Sequence, residues 1–84
     1  MLKLKIVSPE KIEFQGEASD VKVPGTMGNF EILENHAPII SSLQKGMVEY
    51  TTSEGVQQLP IAGGFVEVLK NEVSLCVEKD DESA

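Results

Sequence analysis

The sequence contains no arginine and no tryptophan, and only one cysteine, one histidine and one tyrosine among its 84 residues. Each scarcity excludes something. Without arginine the usual bidentate grip on phosphate or guanine is missing, and seven lysines against 14 acids leave a net charge of −7. Nucleic-acid binding and adhesion to anionic lipid are both disfavoured, whereas a basic protein partner would suit such a chain. A single cysteine, Cys76, allows no intrachain disulfide and no four-cysteine metal site, which fits a reducing compartment. No apolar stretch approaches the ~18 residues of a membrane helix. The start alternates lysine with apolar residues instead of building a signal-peptide core. The expectation is a soluble, cytoplasmic chain that does not insert into lipid.

What is present reads as one small globular domain, with 40% apolar and 25% charged residues. Turn signals recur at short intervals, at Pro9-Glu10, Gln15-Gly16, Pro24-Gly25, Asn35-His36, Lys45-Gly46, Glu54-Gly55, Gly63-Gly64 and Asn71. Between them the hydrophobic period is two: Leu2, Leu4 and Ile6; Ile12 and Phe14; Val21 and Val23; Phe30 and Ile32; Val73, Leu75 and Val77. Alternation of this kind puts one apolar row on one face of a strand, and antiparallel sheets with one wet face show it. The fold class read from this pattern is all-β. Ile39, Ile40, Leu43 and Met47 also fit a helical face, but the run is about two turns long and is read as a strand over 39–44. Gly63-Gly64 reads as a hairpin or a corner where strands change sheet. The domain is expected over 1–78, with 79–84 an acidic flexible tail.

Candidate chemistry is sparse. His36 would need a nucleophile or an orienting carboxylate to act as a base, and two or three companions to hold a metal; its neighbours supply neither, so it reads as a structural or interface histidine. Gly25, Gly28, Gly63 and Gly64 lack the Gly-Lys-Ser/Thr ending of a phosphate loop. Glu31, Glu49 and Glu67 fall at the polar positions of strands, and Cys76 has no basic neighbour in sequence to activate it. No catalytic residue, cofactor or metal is expected. Lys22, before Pro24-Gly25, raises a rival reading as the modified lysine of a lipoyl- or biotinyl-type carrier, although the residues flanking such lysines are absent.

Several stretches resemble the N-terminal β-sandwich of the epsilon subunit of F-type ATP synthases: Leu4-Lys5-Ile6-Val7-Ser8-Pro9, Val21-Lys22-Val23-Pro24-Gly25, Gly28-Asn29-Phe30-Glu31-Ile32-Leu33, His36-Ala37-Pro38-Ile39-Ile40 and Ile61-Ala62-Gly63-Gly64-Phe65-Val66-Glu67-Val68. The resemblance runs from about residue 2 to 78. It implies a flattened antiparallel β-sandwich of about ten short strands, without an active site, that joins the gamma subunit to the ring of c subunits and couples ion-driven rotation to ATP synthesis. By the same resemblance Ser8, His36, Ala37, Pro38, Ile39, Ile40 and Ser41 face gamma, and Met27, Gly28, Asn29, Phe30 and Glu31 face the c ring. It also implies a peripheral position on the cytoplasmic face of a bacterial plasma membrane. Because many members continue into an inhibitory helical hairpin, the chain is expected to be a short form that couples without inhibiting and binds no nucleotide. An outward apolar patch for gamma is expected at Ile39, Ile40 and Met47, where the alternation breaks.

Overall fold

The structure, a computed structural model, describes residues 1–80. Eight strands form in chain order: β1 (Leu2–Val7), β2 (Ile12–Ala18), β3 (Asp20–Gly25), β4 (Gly28–Leu33), β5 (Ile39–Leu43), β6 (Gly46–Thr52), β7 (Gly55–Leu69) and β8 (Glu72–Lys79). The ambiguous segment is a strand, as its neighbours demanded: β5 pairs β7 from Ile39 opposite Val68 to Leu43 opposite Gly64. The strand order β2-β1-β8-β7-β5-β3-β4, with β6 bridging β3 and β7, folds into two layers measuring 35 × 29 × 19 Å overall.

The layers share β7, whose first half pairs β6 up to Ile61 while its second half lies between β5 and β8. The sheet corner falls at the register shift between Ile61 and Gly63. Gly64 takes φ +149°, and any Cβ there would run into the Cys76 carbonyl, so only glycine lets β7 turn the corner this close to β8. The Gly63-Gly64 step is therefore a corner and not a hairpin. Counted as two, β7 would bring the strands to nine against the roughly ten expected, and β2 likewise runs unbroken through Gln15-Gly16, where a turn was expected. Pairing is antiparallel except between β1 and β8, which run parallel.

Alternation decides the core. Leu2, Leu4 and Ile6 on β1, Val73, Leu75 and Val77 on β8, and Val66 and Val68 on β7 are buried, as are Val21, Val23, Ile32, Leu43, Val48 and Ile61 from the rest of the sandwich. The Phe14 and Tyr50 rings pack at 4.7 Å between β2 and β6. Emptying one such site, as in Ile6→Ala, costs about 2–5 kcal/mol. β8 extends to Lys79, and the Asp80 N–H donates to the Pro60 carbonyl at 3.2 Å, so the first two residues of the expected tail are held by the sheet. The remaining tail residues lie outside the described part.

Candidate functional site

Among the described residues no polar or charged residue belongs to the buried core, so the search for a site turns to the surface. The register aligns Phe65, Cys76, Val7 and Ile12 in one row across β7, β8, β1 and β2. Directly behind it, Val66, Leu75, Ile6 and Phe14 form the matching inward row. Phe65 and Ile12 are 49% and 51% exposed, and Ile40, on the same outer face opposite Glu67, is 74% exposed. A depression of about 370 Å³ opens here, lined by Val7, Ser8, Pro9, Phe65 and Cys76 among others. Ser8 and Ile40, far apart in sequence, thus border one apolar surface.

A bulge builds part of this surface. Between Ile6 and Val7 the β1–β2 register shifts, so that Ile6 faces Phe14 while Val7 faces Ile12. The extra residue, Glu13, puts Ile12 and Phe14 on opposite faces despite their i, i+2 spacing. The expectation that both share one inward row fails for that reason. Glu13 itself is tucked in, its side chain 7% exposed, where it accepts the Ser8 Oγ–H at 2.7 Å and lies 3.5 Å from Lys79 Nζ. The Ser8 hydrogen bond, opposed by burial and helped by the charges of Lys79 and Lys11, holds the Glu13 carboxyl below its usual value. Burial, with the Glu13 charge behind it, pushes the Tyr50 phenol up.

Of the run from His36 to Ser41, only part lies on this surface. Ile40 projects outward, whereas Ile39 packs half-buried against the core and Ser41 pairs with buried Val66. Ala37 and Pro38 are exposed and His36 is half-buried. His36 Nδ1–H donates to the adjacent Ala37 carbonyl at 2.8 Å, and its backbone N–H to Leu33 at 3.1 Å. Met47 sits opposite Pro60 on the other layer, away from Ile40, which removes it from the expected patch. The sequence pattern assigns none of Phe65, Val7, Ile12 and Cys76 to an outward apolar patch. Phe65 at the polar phase of Val66 and Val68 was the available signal.

The second surface is the tip of the β3–β4 hairpin. Gly25 pairs with Gly28 across the two-residue turn Thr26-Met27, and Met27 is 97% exposed. A side chain on Gly25 would strike the Gly28 carbonyl and the Phe30 ring, and Phe30 packs half-buried beneath the tip. Gly28, Asn29 and Glu31 are exposed along β4. Thr26 N–H donates to the Ser42 carbonyl at 3.1 Å, the two hydroxyls lie 2.8 Å apart, and Gln44 N–H donates to Pro24 at 2.9 Å. Ser42 pairs with Phe65, so the tip is tied to the strand that carries the apolar face. Lys22 sits mid-strand, in register with Glu31 and Glu49, beside a mixed-charge groove of about 690 Å³. Among the described residues no group of three or more His, Cys, Asp or Glu is arranged to hold a metal ion.

A family model for the β-sandwich domain of the ATP synthase delta/epsilon chain matches residues 1–80. The chain is 42% identical over 77 residues to the ATP synthase epsilon chain of Leptospira interrogans serovar copenhageni, covering 92% of this chain and 61% of that one. It is 43% identical over 75 residues to that of Desulfitobacterium hafniense, covering 89% and 57%. The chain thus spans about three fifths of the length of these relatives. Among solved structures, the Euglena gracilis mitochondrial ATP synthase (OSCP/F1/c-ring, rotational state 1) contains a chain of the same fold, with a TM-score of 0.84 at 20% identity, over 90% of this chain and 49% of that one.

Proposed function

The chain belongs to the β-sandwich domain family of ATP synthase delta/epsilon chains, and from that premise we propose that it is a non-catalytic part of the central stalk, linking the gamma subunit to the c ring as ion-driven rotation is coupled to ATP synthesis. One observation carries the reading: the row Phe65, Cys76, Val7 and Ile12, extended by Ile40, leaves an apolar surface uncovered on the outside of a small rigid sandwich. Such a face fits a packed partner better than water. Gamma occupies it, with Ser8 and Pro9 at the rim and the exposed Ala37-Pro38 segment alongside. The hairpin tip, with Met27 outermost and Asn29 and Glu31 behind it, meets the polar loops of the c ring. Its acidic and amide groups suit basic loops, where complementary charge sets orientation and encounter rate.

The sandwich acts here as a spacer under load. β4 holds the tip about 20 Å from its other end, at ~3.4 Å per residue over six residues. The Thr26–Ser42 bonds keep the tip from hinging against β5. The protein then sits peripherally on the cytoplasmic face of a bacterial plasma membrane, and no helix among the described residues is long and apolar enough to cross it. The carrier reading finds little support, because Lys22 lies mid-strand with a carboxylate residue on each side and Thr26-Met27 holds the tip.

Co-expression with the cognate gamma subunit tests the proposal. A stable gamma complex at micromolar concentration, lost on Phe65→Arg, supports it; no binding to gamma overturns it. Intact mass after expression in a host with lipoyl and biotinyl ligases tests the alternative, for which an adduct on Lys22 is required.

A further inference from the structure

Between β4 and β5 the chain crosses from one layer to the other through residues 34–38, and this crossing has almost no ladder of its own. Among the described residues its one backbone–backbone hydrogen bond outside the strands runs from His36 N–H to Leu33, and Pro38 has no N–H to give. At its first residue the Glu34 carboxylate accepts a hydrogen bond from the Met1 amino group at 2.8 Å. The tether at its middle comes from a distant turn. The Asn35 N–H donates to Asn71 Oδ1 at 2.6 Å, and Asn71 Nδ2 donates to Asn35 Oδ1 at 3.4 Å. Both residues take positive φ, +67° and +64°, which asparagine tolerates better than most residues. Asn71 is anchored in turn, because its carbonyl accepts the Lys3 N–H at 2.8 Å.

We infer that Asn71 is a positioning residue for the gamma-facing segment: its side-chain amide clamps Asn35 and so presents His36, Ala37 and Pro38 in a fixed shape at the edge of the apolar face. The inference rests on the proposed gamma contact. Holding the crossing in its bound shape beforehand removes part of the ordering cost of association. Asn71 touches no partner itself; it acts through Asn35.

The experiment compares Asn71→Gly with Asn71→Asp. Glycine keeps the positive φ and deletes the clamp, whereas aspartate keeps an oxygen acceptor for the Asn35 N–H. Binding to immobilised cognate gamma is measured by surface plasmon resonance, and exchange of the Asn35 amide by NMR on the free chain. Expected is about three- to tenfold weaker gamma binding for Asn71→Gly, from the loss of the 2.6 Å hydrogen bond and the longer 3.4 Å one beside it, near-wild-type binding for Asn71→Asp, and faster Asn35 exchange in the glycine variant alone. Wild-type affinity in Asn71→Gly, or equal losses in both variants, overturns the clamp and leaves the gamma reading standing. An Asn35 amide that exchanges without protection in the wild type also overturns it, even if the glycine variant does not fold. A wild-type chain that binds no gamma removes the function and the inference together.

Discussion

The Ser8 hydroxyl donates to the Glu13 carboxylate at 2.7 Å across the bulge that joins β1 to β2. Two consequences meet there. The bulge turns Ile12 outward to complete the apolar row, and the carboxylate it brings inside holds Ser8 and Lys79 near the rim of the same surface.

Stability should therefore depend on pH through Glu13. Its folded pKa lies below the usual 4.5, so the unfolded chain takes up the proton first on acidification. The contribution is complete above that usual value and is lost as pH falls through the depressed one. Glu13→Gln should cost about 1 kcal/mol at pH 7, and the gap to wild type in urea titrations should shrink toward pH 3. A gap that grows on acidification contradicts the assignment.

Adjacent residues on β5 should respond in opposite ways to the same substitution. Ile40→Arg places charge on an exposed site and should leave folding within about 0.5 kcal/mol of wild type, while weakening gamma binding by tenfold or more, about 1.4 kcal/mol. Ser41→Arg drives charge toward buried Val66 and should lower the melting temperature first. Thermal denaturation alongside binding separates the two.

Phe65→Ala should cost about 2 kcal/mol or more of gamma affinity, since it removes the largest side chain of the outward row while its β7 neighbour Val66 stays packed. Circular dichroism should show an unchanged fold. Full affinity in this variant would falsify the interface.

Gly64→Ala should destabilise by more than about 2 kcal/mol. Its φ of +149° and the Cys76 carbonyl leave no room for a methyl group. Gly55→Ala serves as a comparison, because Gly55 also has positive φ, +107°, but meets no atom within 4 Å. The difference between the two in denaturant midpoints isolates the cost of the corner.

Met27→Ala at the hairpin tip should leave stability unchanged, because the side chain is 97% exposed. The same change should weaken association with isolated c rings, read by co-sedimentation. Equal binding at several salt concentrations would remove the tip from that contact.

Period-two spacing alone determined the all-β class and which residues of β1, β3 and β8 face inward, because a pleated backbone sends alternate side chains to opposite sides whatever lies beyond. At β5, where the alternation breaks, only the shortness of the run and its strand neighbours point to a strand. The spacing of His36-Ala37-Pro38 and of Gly63-Gly64-Phe65 likewise carried the family resemblance. Tertiary structure decided the rest. A bulge of one residue moved Ile12 away from Phe14, and a continuous β7 merged strands that turn signals had divided. Pairing between residues far apart in sequence set Phe65 beside Cys76 and Val7, and Asn35 against Asn71. Local pattern reports the phase of each strand, but a surface made of four strands exists only once their registers are set against one another.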